Sequence, residues 1–240
     1  SDVYKRQGCG LVHIVTAQEN AEVIRIKLPE AIVTGWSENV TAEQEADITA
    51  AIHKAAAVVI GPGLGQEAGA ERLLDLVLQE AKKLPELPVV IDADGLNLLA
   101  KKGLYSTLGR QYVLTPHLRE MSRLSGKSVQ EIADDMTSAV MGQQAGATIV
   151  LKDARTLVSD GDWLYINLSG NSALSTGGSG DVLSGMIGGL LAQGCTQRTA
   201  ATLAVYMHGL TAEQYCESAP PHCMLARDIL EMIPKIGGNS

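Results

Sequence analysis

Short apolar runs alternate with helical patterns along this chain, and that alternation limits its fold more than any other feature. Each run is too short for a helix and apolar almost throughout, which is typical of strands that are buried on both faces. The runs lie at 11–16, 58–60, 89–91, 112–114 and 148–151. Helical patterns lie at about 43–56, 67–83, 117–124, 128–145, 180–193, 198–217 and 225–233. Strands separated by helices predict a doubly wound α/β fold, in which helices cover both faces of a mostly parallel central sheet.

After Leu151 the alternation of strands and helices gives way to a hairpin pattern. The turn Asp160-Gly161-Asp162 lies between two short runs, and an Asp-Gly pair is typical of tight hairpin turns. We therefore predict a β-hairpin near 155–167. No internal repeat or Pro/Ser-rich linker divides the sequence, which favours a single domain at 8–240. Residues 1–7 show no clear periodicity, and we predict that they form a separate N-terminal tail.

Composition excludes several classes of partner. A net charge of −8, with no cluster of Lys or Arg, argues against binding to nucleic acid. Phe is absent and Trp36 and Trp163 are the only tryptophans, so platforms that stack on bases are not expected. No apolar run suits a signal sequence or a membrane span, and the four cysteines lack CxxC spacing. We therefore expect a cytoplasmic protein without a membrane or nucleic-acid partner.

Three potential metal ligands, Cys216, His222 and Cys223, lie close together near the C-terminus. Their spacing fits no zinc knuckle, so ordinary helix-end positions explain them better than a metal site does. The sequence therefore leaves the metal ligands of this protein unassigned.

A glycine-rich loop opens directly onto an apolar, small-residue helix within 170–192. Free backbone N–H groups at a helix N-terminus attract anions, and here Gly177, Gly178, Ser179 and Gly180 would supply them. Asp181 stands at the mouth of this anion hole. A carboxylate there repels phosphate unless it has a task of its own, and the obvious task is to accept a proton. The pattern predicts phosphoryl transfer to a hydroxyl, with Asp181 as the catalytic base.

Loops at other predicted strand ends carry further polar residues, and parallel sheets bind their ligands at this edge. Asp92 and Asp94 follow the run at 89–91, where their carboxylates could support Mg²⁺ through water or position a hydroxyl. Alternatively, Asp94 or Asn97 caps the following helix, and both interpretations stay open. The glycine loop at 61–65 overlaps a weak dinucleotide-binding fingerprint at 63–68.

Two more strand-end loops are candidates for ligand contact. His117 follows the run at 112–114, and we favour contact with a polar substrate for it and a helix cap for Glu120. Lys152 and Arg155 follow the run at 148–151, where they would suit the phosphates or ribose of a nucleotide. A charged surface hairpin is the alternative explanation for this last loop.

The glycine loop and its helix also resemble a known family. Gly-Gly-Ser-Gly-Asp-Val-Leu-Ser-Gly at 177–185 resembles the GGTGDVLTG signature of the ADP/ATP-dependent NAD(P)H-hydrate dehydratases, a branch of the ribokinase-like superfamily. Other segments are similar to that branch in their order and spacing. They lie at 8–12, 28–31, 60–65, 92–97, 114–120, 149–152, 204–209 and 225–234.

The resemblance implies a ribokinase-like fold, a reaction and a set of site residues. The reaction repairs NADH or NADPH that has been hydrated at C6 of the nicotinamide ring (NADHX or NADPHX). It phosphorylates the C6 hydroxyl and eliminates phosphate, with ADP or ATP as co-substrate and with Mg²⁺. Family residues that contact the hydrate match Gly65, His117 and Asp181. Those that hold the adenine nucleotide match Lys152, Asp153, Ala154, Arg155, Thr156 and Gly180.

The chain departs from the family pattern at two places, and the resemblance also implies an assembly. Asp153 stands where the family has a glycine after the lysine that matches Lys152. The family's usual N-terminal strand and helix have no counterpart, so residues 1–7 are predicted to be a tail foreign to the family. Family members are often homotetramers, which implies a homo-oligomer here.

Three other functions stay open on the sequence alone. A small-molecule kinase for a vitamin precursor or a sugar would use Asp181 in the same way but leave a stable phosphorylated product. A NAD-dependent oxidoreductase would bind a pyrophosphate at the helix that begins near Gln66 and exchange hydride. The third alternative is a nucleotide binder without catalytic activity.

Overall fold

The computed structural model describes residues 10–37, 40–141 and 145–236, so the predicted tail at 1–7 lies outside the described residues. Within these ranges, eight strands form one sheet of two strands and one of six. In chain order the strands are β1 (His13–Ala17), β2 (Ile32–Trp36), β3 (Val58–Ile60), β4 (Val89–Ile91), β5 (Tyr112–Leu114), β6 (Thr148–Leu151), β7 (Leu157–Ser159) and β8 (Leu164–Ile166).

The same ranges hold ten α-helices, and none of these is both long and apolar enough to cross a membrane. They are α1 (Ala21–Lys27), α2 (Ala42–Lys54), α3 (Ala68–Lys83), α4 (Ala93–Lys102), α5 (Leu118–Ser125), α6 (Val129–Asp134), α7 (Met136–Met141), α8 (Ser179–Ala192), α9 (Gln197–Cys216) and α10 (Ala226–Met232).

The six-stranded sheet confirms the predicted mostly parallel architecture. Its spatial order, β3-β4-β5-β6-β7-β8, follows the chain, and the first four strands are parallel. Strands β7 and β8 are antiparallel to their neighbours and form the predicted hairpin. Because the four parallel strands all point the same way, the loops that follow them meet at one edge of the sheet.

Helices cover both faces of this sheet, as predicted, but the two layers come from different parts of the chain. Alternate strand residues enter two separate cores, so that Ile91 faces one core and Val90 the other. The crossover helices from α3 to α7 pack on the first face, because strand order advances in one direction and such crossovers are right-handed. The C-terminal helices α8, α9 and α10 cover the second face.

The first predicted strand, at 11–16, belongs to a separate small sheet rather than to the central one. Strand β1 pairs in parallel with β2, an element that the apolar pattern does not predict. Thr34 and Gly35 interrupt the apolar run of β2, which hides its strand character in the sequence. Trp36 anchors the small sheet, since its indole N–H donates to the Gly69 carbonyl oxygen (2.8 Å) and its ring enters the first core.

The predicted single helix over 128–145 is wrong, because the structure has two helices, α6 and α7. The break lies at Asp135, whose φ of −144° and ψ of 74° are not helical. Its carboxylate accepts a hydrogen bond from the Ser138 amide (2.9 Å) and so caps the second helix. An aspartate that competes for backbone amides ends one helix and begins the next. Residues 142–144 lie outside the described part of the chain.

The loop between β3 and α3 depends on Gly61 for a close approach between two strand ends. Gly61 has a φ of +124°, and a Cβ atom there would lie 1.8 Å from the backbone oxygen of Asp92. Gly63, in the same loop, also has a positive φ (+63°), but a Cβ atom there would meet nothing within 4 Å. A substitution at Gly61 therefore introduces both a steric clash and backbone strain, whereas a substitution at Gly63 introduces backbone strain alone.

We predict that Gly61→Ala destabilises the protein more than Gly63→Ala does. The first change forces backbone apart and should lower the free energy of unfolding by about 3 kcal/mol or more. The second adds only the cost of a left-handed alanine, about 1 kcal/mol. Urea denaturation of both variants measures the difference. Equal losses would show that Gly61 is needed for its φ alone and not for the contact with the β4 loop.

Candidate active site

Asp92 is the centre of the polar cluster at the carboxyl edge of the sheet. It follows β4 directly and is almost completely buried. Its Oδ1 accepts hydrogen bonds from the Ala93 amide and from the Lys152 ammonium, both at 2.8 Å. Its Oδ2 accepts a hydrogen bond from the Ser184 hydroxyl on α8. One carboxylate thereby connects the ends of β4 and β6 with a helix on the other face of the sheet.

Asp92, rather than Asp94 or Asn97, is the N-cap of α4, which corrects the capping alternative drawn from the sequence. The helix begins two residues earlier than an Asp94 cap would place it and five residues earlier than an Asn97 cap would. Ala93, its first residue, has a φ of +48°, the only positive φ outside glycine among the described residues. Such a conformation costs of order 1–3 kcal/mol and persists only where the surroundings impose it. Here it occurs directly after Asp92, where the chain passes from β4 into α4.

The other two predicted supporting residues have different environments. Asp94 ties two loops together, because its Oδ2 accepts from the Gly65 amide (3.1 Å) and its Oδ1 from the Gln66 side-chain amide (3.2 Å). Gly65, a predicted substrate contact, is thus fixed beside the Asp92 loop with a φ of +79°. Asn97 points away to Arg123, whose Nη1 donates to its Oδ1 (2.8 Å).

His117 is itself the N-cap of α5, and Glu120 completes the capping box as predicted. The His117 Nδ1 accepts from the Arg119 amide (3.1 Å) and the Glu120 amide (3.2 Å), while the Glu120 carboxylate accepts from the His117 amide (2.8 Å). An Nδ1 that accepts hydrogen bonds places the proton of the neutral ring on Nε2. The Nε2 atom of His117 lies 3.5 Å from a Glu120 carboxylate oxygen. Because the His117 side chain is half-exposed, its Nε2–H group can still donate to a ligand.

Lys152 joins the His117 loop to Asp92. Its amide donates to the Pro116 carbonyl oxygen (2.8 Å), and it forms a parallel bridge with His117 beyond the last paired residues of β5 and β6. Its side chain turns inward to Asp92 and remains one-fifth exposed. The rest of the predicted nucleotide loop lies further out: Asp153, Ala154 and Arg155 are exposed and Thr156 is partly buried.

The glycine loop reaches α8 through Gly178, a left-handed N-cap with a φ of +85°. In the predicted anion hole, the Ser179 amide already donates to the Thr176 carbonyl oxygen (3.3 Å). The first bond of the helix ladder runs from the Val182 amide to the Gly178 carbonyl oxygen (3.1 Å). Among the described residues, the amides of Gly177, Gly178, Gly180 and Asp181 have no acceptor, so these four are available to an anion.

Asp181 stands on the first turn of α8 with an exposed side chain. Partial loss of solvent raises the pKa of its carboxyl group above the ordinary value, and the charge of Asp92 raises it further. The ammonium of Lys152 opposes this rise, and Asp94 adds to it. No described group forms an ion pair with Asp181 at hydrogen-bond distance, so its carboxylate is available as a proton acceptor.

Sequence reasoning missed His208, which supports the glycine loop from α9. His208 is buried, and its Nε2 lies 3.1 Å from the Ser179 hydroxyl at the start of α8. Burial lowers the pKa of His208 to about 4, with the positive charge of Lys152 adding to the effect and Ser179 opposing it. A histidine within the apolar segment 204–209 is the signal that could have revealed this contact. The neutral His208 ring thus contacts Ser179, the residue just before Gly180 and Asp181.

The described residues hold no group of three or more His, Cys, Asp or Glu side chains arranged for a metal ion. The C-terminal cysteines are thiols, with Cys223 exposed and the Cys216 sulfur 3.7 Å from the Asn171 side-chain oxygen. At the sheet edge, the oxygens of Asp92 and Asp94 are already engaged by protein donors. A cation at this edge would share these carboxylates with protein donors, and phosphate or water would have to complete its coordination.

This geometry agrees with what the sequence has in common with known proteins. The family model described as NAD(P)H-hydrate dehydratase matches residues 4–235. The chain belongs to the NAD(P)H-hydrate dehydratase family. The match covers the whole carboxyl edge of the sheet, from the loop after β3 to α10.

Two curated relatives are similar to most of this chain but differ in how much of their own length the similarity covers. An ADP-dependent (S)-NAD(P)H-hydrate dehydratase from Neisseria meningitidis is 40% identical over 218 residues, which are 88% of this chain and 70% of the relative. A bifunctional NAD(P)H-hydrate repair enzyme from Coxiella burnetii is 36% identical over 227 residues, 93% of this chain. The matched part is only 44% of that bifunctional enzyme.

A solved structure agrees with the fold of this family member. The ADP/ATP-dependent NAD(P)H-hydrate dehydratase from Bacillus subtilis, co-crystallised with ATP/Mg²⁺, aligns with a TM-score of 0.78 at 28% identity. The alignment covers 98% of this chain and 81% of the Bacillus chain. The predicted ribokinase-like α/β fold is confirmed.

We predict that His208 makes folding of this dehydratase-family chain sensitive to acid. The folded pKa of about 4 lies below the ordinary 6.5, so the unfolded chain binds the extra proton first. Stability should fall as pH decreases from about 6.5 to about 4, by up to about 3 kcal/mol. Urea denaturation of wild type and His208→Gln across this range measures the effect, which the variant should lack.

The control for this experiment is His222→Gln, because His222 is exposed. Its acid sensitivity should match that of wild type. If the difference in unfolding free energy between wild type and His208→Gln stayed constant from pH 7 to pH 4, His208 would titrate normally and the proposed neutral contact with Ser179 would be wrong.

Proposed function

We propose that this chain returns hydrated NADH or NADPH to NAD(P)H in a nucleotide-dependent dehydration. The observation that carries the proposal is an unpaired carboxylate, Asp181, beside the free amides of a helix N-terminus and an internal lysine. Membership of the family supports this reaction. The Neisseria relative is named an ADP-dependent (S)-NAD(P)H-hydrate dehydratase, and the Bacillus enzyme was crystallised with ATP/Mg²⁺.

In this reaction Asp181 accepts the proton of the C6 hydroxyl as that oxygen attacks the terminal phosphorus of ADP or ATP. The phosphoryl group moves to the C6 oxygen, and AMP or ADP leaves. The lone pair of the ring nitrogen then expels phosphate from C6, and loss of a proton from C5 restores the double bond. Phosphate replaces hydroxide as the leaving group, which is the purpose of consuming a nucleotide.

The remaining site residues bind and orient the substrates. His117 suits a hydrogen bond to the hydrate, because its capping role leaves an N–H group on Nε2. Gly65 permits close approach from the opposite loop, where its amide is already held by Asp94. The free amides of Gly180 and Asp181 would stabilise charge on the moving phosphoryl group.

The adenine nucleotide is assigned to the loop from Lys152 to Thr156 and to Gly180. A Cβ atom on Gly180 would lie 3.3 Å from the Lys152 ammonium, which shows how closely the two parts of this site meet. Lys152 can turn from Asp92 toward a phosphate without leaving the site. Asp153, in place of the family's glycine, is exposed and leaves this inner contact intact.

Mg²⁺ fits this site only as an ion carried by the nucleotide. Bound to the phosphates, it would neutralise their charge, with Asp92 and Asp94 able to support its waters.

The cytoplasmic location and the homotetramer that the resemblance implies remain predictions, to be tested by fractionation and by light scattering. The chain spans about 44% of the Coxiella bifunctional enzyme, so only the dehydratase reaction is proposed here.

We predict that wild-type protein restores absorbance near 340 nm, the band of reduced nicotinamide, when it is given NADHX, Mg²⁺ and ADP or ATP. One phosphate should appear for each NADH formed. Asp181→Asn keeps the size of the side chain but cannot accept the proton, so kcat should fall by about 100-fold or more. A stable phosphorylated product instead of NADH would indicate a kinase, and an equally active Asp181→Asn would exclude Asp181 as the base.

The raised pKa of Asp181 predicts an acid limb in the pH dependence of kcat/KM. The base must be ionised, so activity should fall as pH decreases through the raised pKa. Asp94→Asn removes one of the charges that raise this pKa and should move the limb to lower pH. The neutral side chain retains an oxygen for the Gly65 amide. A limb that stayed in place, or that moved upward, would show that Asp94 does not act on Asp181.

A further inference from the structure

A second recess lies beside the catalytic edge and is not used by the reaction described above. We call it the α4–α5 cleft; it is lined by Gln66, Asn97, Ala100, Lys101 and Arg123. Its volume is about 500 Å³, within the range of small-molecule sites. Gln66 connects it with the substrate loops, because the side-chain amide of Gln66 donates to Asp94 (3.2 Å). The cleft is therefore continuous with the predicted contacts of the nicotinamide hydrate.

The polar groups of the cleft are suited to an anion. Arg123 donates one N–H to Asn97 (2.8 Å), and its other guanidinium N–H groups have no acceptor among the described residues. This single bond to the facing helix holds the guanidinium at the cleft while leaving a fork free for phosphate. Lys101 adds a second positive charge, partly balanced by its ion pair with Glu71.

The position of the cleft separates it from the nucleotide site. Helices α4 and α5 pack on one face of the sheet, whereas the glycine loop opens onto α8 on the other face. Arg123 lies six residues beyond His117 on α5, about 9 Å along the helix axis. The cleft borders the loop of Gly65 through Gln66 and lies on the side of the sheet away from the α8 glycine loop.

We propose that the α4–α5 cleft binds the pyrophosphate of the dinucleotide hydrate, with Arg123 as its principal donor. This inference rests on the proposed function, because it assigns the part of the same substrate that does not react. The reacting ring is held at Gly65, His117 and Asp181, and the cleft supplies the binding energy that distinguishes a dinucleotide from a bare nicotinamide riboside.

Steady-state kinetics with two substrates tests this assignment. Arg123→Ala should raise KM for NADHX by about ten-fold to 100-fold, the usual loss for a charged hydrogen bond to phosphate. It should leave KM for ATP unchanged, and it should leave kcat/KM unchanged for the hydrate of reduced nicotinamide riboside, which has no pyrophosphate. Arg123→Lys keeps the charge but not the fork and should give an intermediate KM. The matched control is Arg110→Ala, an exposed arginine before β5 at the opposite edge of the sheet.

Four results would overturn the assignment. They are an unchanged KM for NADHX, an equal loss with the riboside hydrate, a raised KM for ATP, and the same effect in Arg110→Ala. If the wild type dehydrates neither hydrate, the proposed function itself has failed, and calorimetric titration with NADH then tests the cleft separately. Weaker binding of NADH by Arg123→Ala than by wild type would support it, and equal binding or none would overturn it.

Discussion

The buried contact between Asp92 and Lys152 is the interaction on which the rest of the site depends. Removing the Asp92 carboxylate from water is costly, and its burial is tolerated because Ala93 and Ser184 donate to it in addition to the partly exposed Lys152. Asp92 follows β4, Lys152 follows β6 and Ser184 lies on α8, so this set of contacts forms only when the sheet and the helix on its second face are assembled. Breaking one partner would leave the other charge buried without compensation. Assembly of the sheet and α8 therefore places Lys152 beside Asp92.

Most of the central fold follows from local patterns in the sequence. Buried parallel strands such as β4 and β5 must be apolar on both faces, and this requirement makes them visible as short runs. The Asp-Gly turn likewise marks the hairpin of β7 and β8. Elements with only partial burial escape detection. Strand β2 contains Thr34 and Gly35, and the break at Asp135 depends on a side chain that competes for backbone amides rather than on periodicity.

The site was predictable at the level of loops but not at the level of contacts. Parallel topology brings Asp92, His117 and Lys152 to one edge, because each follows the carboxyl end of a strand. The sequence does not reveal that Asp92 pairs with Lys152, nor that Ala93 beside it adopts a positive φ, since positive φ at alanine has no signature. Nor does it reveal that His208 supports Ser179, which requires the packing of α9 against α8.

The charges around Asp181 explain why one acid at an anion site is useful. Partial loss of solvent and the charge of Asp92 raise the pKa of Asp181, and the opposing charge of Lys152, which is paired with Asp92, does not cancel this rise. In the proposed reaction, any negative charge that Mg²⁺ leaves on the nucleotide phosphates would raise that pKa further and strengthen the carboxylate as a base. The same phosphates compete with Asp92 for Lys152. In the proposed reaction, binding of the nucleotide would therefore make Asp181 more basic when the hydroxyl proton is removed, with Lys152 close to the transferred phosphoryl group.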